Sequence, residues 1–241
     1  MAVLKLRQGI AAAALLVLLY WDIWFVAAAF FLWLAVRELR SDGSHGDGGF
    51  YLPYFLGVIA LAGACLWPPL SNWRFESKMA SVATRLADGR RAPVHCNTAV
   101  DMIFSPVQLN PGYTHFETGE ISFQKHACSD MRRYLRAPQE ADLGALNALN
   151  LITHEAMHVR GERRESVTEC QAVQRNFRAA VLLGVPEPIA RRNAADIYLK
   201  LYPLRSGSEY FSVDCAPGKA LDEHLSDSTW VVMAEDQAAG R

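Results

Sequence analysis

Thr153-His154-Glu155-Ala156-Met157-His158-Val159-Arg160-Gly161-Glu162-Arg163-Arg164-Glu165-Ser166-Val167-Thr168-Glu169 is the stretch on which the reading of this chain turns. Ahead of it, Leu146, Leu149 and Ile152 recur with Met157 at helical spacing. That pattern predicts a helix opened by Pro138 and Asp142, with Asp142 as its cap and Gly161 as its stop. On a helix, residues four apart share a face, so His154 and His158 can turn both imidazoles toward one ion. Glu155 is rotated by about 100° from His154, where it can take a proton from a water on that ion. Beyond Gly161 a second helix is predicted over 163–183, with Val167, Cys170, Val173, Phe177 and Val181 along one face and Glu165 and Glu169 one turn apart. A third is expected from Glu187 to Tyr202, closed by Pro203.

Upstream, Tyr113 to Gln124 contains two alternating runs that meet at Thr118-Gly119, the pattern of a β-hairpin. Strand character also surrounds Met102-Ile103-Phe104. A hairpin first and helices afterwards predicts an α+β domain, a small sheet packed on three main helices, over residues 93–241.

The paired motifs carry a resemblance. The chain resembles the zincin metallopeptidases, among them the gluzincins or thermolysin-like group, and is similar to small membrane-anchored bacterial members. In gluzincins HExxH is followed by a second helix bearing ExxxD; here Glu165-Ser166-Val167-Thr168-Glu169 stands in that place, with Glu for Asp. Over residues 113–183 the resemblance implies a zinc ion held by His154, His158 and Glu165, with Glu155 as general base. Glu169 would then accept a ring N–H from one of the histidines; Glu169 as the third ligand is the alternative. The gap from His158 to Glu165 is seven residues, much shorter than in thermolysin, so a tight turn is required at Gly161. The motif also begins like the metzincin HExxHxxGxxH, but Arg164 stands where that family has its third histidine. The family stabilises an oxyanion with a Tyr, His or Arg beyond the zinc helices. Tyr198, Tyr202, Tyr210 and His224 are available, and Tyr210, on the loop reaching Cys215, is taken as the candidate. An edge strand borders the cleft in zincins, and Glu120–Gln124 is the matching candidate. His95, His115 and His126 read as ordinary exposed or strand histidines.

Four cysteines, Cys96, Cys128, Cys170 and Cys215, fall in the globular part and Cys65 in the apolar leader. An even set in a small domain predicts two bridges and an extracytoplasmic domain. Three pairings are open. A Cys170–Cys215 bridge would fasten the tail over the site, and Cys96–Cys128 would clasp the strands beside the hairpin.

The leader is a different polymer. The 241 residues carry 24 basic and 25 acidic side chains, yet residues 1–70 hold only Lys5, Arg7, Asp22, Arg37, Glu38, Arg40, Asp42 and Asp47. Gly9–Val36 has one charge, Asp22, and Tyr51–Trp67 none. Each approaches the roughly 20 residues that cross a bilayer as a helix, and Trp67-Pro68-Pro69 is expected to end the second. Residues 1–70 therefore read as a two-span anchor in the cell membrane, multi-pass, and 71–92 as a linker or amphipathic helix. The first run is too long for the core of a signal peptide. Basic residues flank every end, so the count of positive charges leaves the orientation to the cysteines. A net charge of −1 offers no basic face for nucleic acid.

The partners expected are the lipid bilayer and a peptide or protein substrate, cleaved at its peptide bonds. The rival reading is a non-catalytic, membrane-anchored zinc-binding sensor or interaction protein. Glu155, which is not a ligand, favours catalysis.

Overall fold

The computed structural model describes residues 23–40, 50–97, 101 and 110–238. The chain divides into two units, Met1–Phe75 and Glu76–Arg241. Asp22, the first part of the Gly9–Val36 run and the strand expected around Ile103 lie outside the described residues.

In the first unit α1 (Ile23–Leu39) is followed by α2 (Leu52–Leu86), which runs on into the second unit. Large apolar side chains on both helices face outward, among them Trp24, Phe30, Trp33, Leu56 and Leu61, while small ones such as Ala28, Ala35 and Ala62 are buried. A helix in water does the reverse; lipid tolerates exposed Leu, Phe and Trp and favours small residues where backbones approach. Among the described residues α2 is the one helix long and apolar enough to cross a membrane. The helix does not stop at Pro68-Pro69, as the sequence suggested: both prolines lie inside it. Each removes one backbone donor. The helix continues because Met79, Val82, Ala83 and Leu86, at helical spacing after the prolines, are all buried. Packing thus outweighs the two missing bonds, and residues 71–86 of the stretch read as a linker or amphipathic helix are the second half of α2.

The sheet of the second unit comprises β1 (Val94–Cys96), β2 (Gly112–His115) and β3 (Glu120–Phe123), in the order β1-β3-β2. The hairpin is where it was expected, with β2 antiparallel to β3. Its turn requires glycine at 119: φ is +72° and a Cβ there would stand 2.7 Å from the Arg91 carbonyl oxygen. The edge assignment is corrected. β1 pairs in parallel with the other side of β3, so among the described strands β3 is central and β1 and β2 are the edges. Ile121 and Phe123 of β3 are buried accordingly.

More helices follow this sheet than the three expected. α3 (Lys125–Arg136) buries Ala127, Cys128, Met131 and Tyr134 on one face. α4 (Leu143–Arg160) begins at Asp142, whose side chain accepts from the Ala145 N–H at 2.8 Å, and ends at Gly161 with φ +121°. α5 (Glu165–Leu182) follows directly, with Val181 on its exposed side near the end. α6 (Glu187–Asp196) passes into a π turn, Ile197–Leu201, and a 3-10 turn, Tyr202–Arg205, so Pro203 sits within the helical run rather than closing it. α7 (Thr229–Ala238) completes the unit.

Both bridges form. Cys96–Cys128 joins β1 to α3, a helix rather than a second strand, and Cys170–Cys215 joins α5 to the tail. Around the second, Val173, Tyr202 and Trp230 form a buried cluster. Replacing Cys170 and Cys215 together by Ser should cost about 2–4 kcal/mol of stability, read from the urea midpoint followed by circular dichroism. An unchanged midpoint would contradict a bridge at this place.

Candidate metal centre

α4 is buried almost all round, and the polar residues among its buried positions are the ones that carry the motif: Asn150, Thr153, His154, Glu155 and His158. Buried polar atoms need partners, and these find them in a way that orients the histidines. His154 Nδ1 donates to Glu169 Oε2 at 2.8 Å. His158 Nδ1 donates to the main-chain carbonyl of Glu162 at 2.8 Å, on the turn that Gly161 makes possible. With both Nδ1 atoms committed, the two Nε2 atoms remain, and both face Glu165 Oε2, at 3.1 Å from His154 and 3.4 Å from His158.

Two ligands about 2.1 Å from one tetrahedral ion stand roughly 3.4 Å apart. The observed separations match that spacing, and the three ligand atoms all lie within 4.8 Å of one another. His154, His158 and Glu165 can therefore hold a metal ion. The histidine side chains are nearly closed off while Glu165 is 31% exposed, so the site opens on the Glu165 side. Glu169 does not share this focus. It is 1% exposed, and its other oxygen accepts from Asn150 Nδ2 at 2.8 Å and pairs with Arg205 Nε at 2.9 Å. Asn150 is held in turn by Asn176.

Electrostatics follow from the contacts. Burial works against a charge on His154, but its bonds to Glu165 and Glu169 outweigh that and push its pKa up to about 9. The same bonds from His154 and His158 hold Glu165 down at about 2. An arriving metal cation takes the place of the proton that these carboxylates now retain on His154. Glu155 is raised by burial, with His154 and Thr114 opposing.

Glu155 lies beside this set, 4% exposed. Its Oε2 accepts from Thr114 Oγ1 at 2.6 Å, across from β2. Of the four candidates for oxyanion stabiliser, the Tyr210 ring is 5.7 Å from that of His154, with the Arg205 guanidinium 5.5 Å from its centroid. Tyr202 spends its hydroxyl on Ser212, Tyr198 lies between Tyr202 and Trp230, and the His224 side chain is 79% exposed. Phe116, from the hairpin turn, packs edge-on to His158 at 5.4 Å.

The sequence reading missed Thr114, Asn150, Arg205 and the Glu162 carbonyl. Thr114 had a faint signal, since period-two alternation sets it opposite the exposed Tyr113 and His115. Arg205 had none, because the 3-10 turn that carries it, beyond the π turn, has no sequence mark.

Glu165→Ala should abolish stoichiometric metal binding, whereas Glu169→Gln should weaken it by about 10- to 100-fold, both read by plasma mass spectrometry and competition titration. Loss of metal in Glu169→Gln with retention in Glu165→Ala would reverse the two roles.

Comparison of the chain with protein-family models, with curated proteins and with solved structures finds no match.

Proposed function

We propose that the chain is a membrane-anchored, zinc-dependent metallopeptidase of the gluzincin kind. One observation carries this reading. Both histidine Nδ1 atoms are held by fixed acceptors and both Nε2 atoms face Glu165, while Glu155, outside that set, is buried beside it with one oxygen held by Thr114. An ion kept for structure alone needs no such carboxylate, and burying one costs free energy. Hydrolysis needs a base at that position.

A zinc ion bound by His154, His158 and Glu165 would supply a Lewis acid that polarises a carbonyl and acidifies a water. Glu155 takes the proton of the attacking water and passes it to the leaving amine; the burial that raises its pKa makes it a better acceptor. Glu169 keeps the His154 ring turned, and Arg205 fixes Glu169 from the other side. Tyr210, whose ring lies 5.7 Å from that of His154, is the candidate donor to a developing oxyanion. β2, the edge strand beside Glu155, offers main-chain groups to an extended substrate.

The two bridges support an oxidising, extracytoplasmic compartment for the catalytic unit. The outward-facing apolar side chains of α1 and α2 support a two-span anchor, in which residues 23–36 of α1 are the described part of the first run.

Full-length chain in detergent, supplied with one equivalent of zinc, should cleave an unfolded protein substrate, and Glu155→Gln should lower the rate by about 10²- to 10⁴-fold while retaining the metal. Wild-type chain that binds zinc and cleaves nothing would point to the sensor. A fully active Glu155→Gln would overturn the mechanism.

A further inference from the structure

Gly112 and Thr114 occupy alternate positions of β2 and are both buried, so they face the same way. That face meets Glu155. Thr114 Oγ1 lies 2.6 Å from Glu155 Oε2 and 3.2 Å from the Glu155 main-chain carbonyl. A hydroxyl has one hydrogen to give, and the shorter contact, to the charged oxygen, takes it. Thr114 is 2% exposed and Glu155 4%, so water does not compete for the bond. Glu155 Oε1 lies on the side of Gly112: a Cβ at 112 would stand 3.0 Å from Oε1 and 3.0 Å from Phe123 Cε1.

The strand that presents these two residues is itself fixed. Thr114 pairs with Ile121, which is fully buried, and Gly112 with Phe123. A β-branched side chain has few χ1 choices, so a fixed strand means a fixed hydroxyl. A carboxylate on a long side chain, by contrast, turns broadly about its last torsion and presents either oxygen. Anchoring one oxygen removes that freedom.

From these contacts we propose that Thr114 is a positioning residue for Glu155: its hydroxyl anchors Oε2, and Gly112 leaves the space that keeps Oε1 free to receive the proton. This rests on the hydrolytic reading above and deepens it. The attacking water loses a proton to Oε1, the leaving amine later gains it from Oε1, and the Thr114 hydroxyl keeps its own hydrogen throughout. The edge strand therefore serves the base as well as the substrate backbone.

The test uses zinc-loaded, full-length chain and one peptide substrate. Thr114→Val keeps the shape and removes the hydroxyl; Thr114→Ser keeps the hydroxyl and removes the methyl. Losing one bond to a charged group should lower kcat by about 10- to 100-fold in Thr114→Val, with KM within about twofold and zinc content unchanged. Thr114→Ser should restore most of the rate. Gly112→Ala is the second variant, and it should also lower kcat with zinc retained, because its methyl crowds Oε1. A Thr114→Val enzyme at the wild-type kcat would overturn the proposal, as would Thr114→Ser as slow as Thr114→Val, which would make the methyl packing the cause. If Thr114→Val does not fold, a Gly112→Ala enzyme at the wild-type rate overturns it instead. Wild-type chain that holds zinc and cleaves nothing would overturn the hydrolytic reading and this proposal together; active wild type with an unimpaired Thr114→Val overturns this proposal alone.

Discussion

Glu169 accepts from the His154 ring on one oxygen and from Asn150 and Arg205 on the other, with 1% of its side chain exposed. A carboxylate buried this deeply is tolerated only when its lone pairs are filled, since an unpartnered one costs several kcal/mol. That requirement sets the register of α5 against α4. Glu165, one turn earlier on α5, is thereby delivered to the two Nε2 atoms, and Cys170, the next residue, is placed for its bridge to Cys215. The same carboxylate draws Arg205 inward, and the Arg205 guanidinium meets the Tyr210 ring. Two helices, the tail and the Tyr210 ring thus depend on one buried carboxylate.

Gly161 supplies the complementary constraint. Its positive φ ends α4 and turns the chain sharply enough for the Glu162 carbonyl to reach His158. A longer connection would leave His158 Nδ1 in need of another acceptor. The seven-residue spacing between His158 and Glu165 is short because the turn is doing two things at once: it reverses the chain and it orients a ligand.

Much of this was legible in the sequence because it depends on local periodicity. The HExxH spacing, the second Glu pair, the Asp142 cap, the Gly161 stop and the hairpin all follow from residues within one or two turns of each other. What escaped depends on distant packing. β3 is central because β1 joins it in parallel from far upstream. α3 was overlooked because its buried face holds Ala127, Cys128, Met131 and Tyr134 among many charges, a stripe too small and too polar to stand out. The prolines of α2 were read by their backbone chemistry, which is sound for an isolated helix, but the buried residues that follow them decide otherwise. Thr114 and Arg205 reach the site across long sequence separations, through a strand and a 3-10 turn that position them without any motif of their own.

On the proposed reading, His154, His158 and Glu165 hold one metal ion and leave a position open beside Glu155. X-ray absorption at the zinc edge, on chain carrying one equivalent of zinc, tests it most directly. Two imidazole nitrogens and one carboxylate are expected at about 2.0–2.1 Å, together with a further light ligand that exchanges with solvent. A shell closed by four protein ligands, or one containing sulfur, would contradict it.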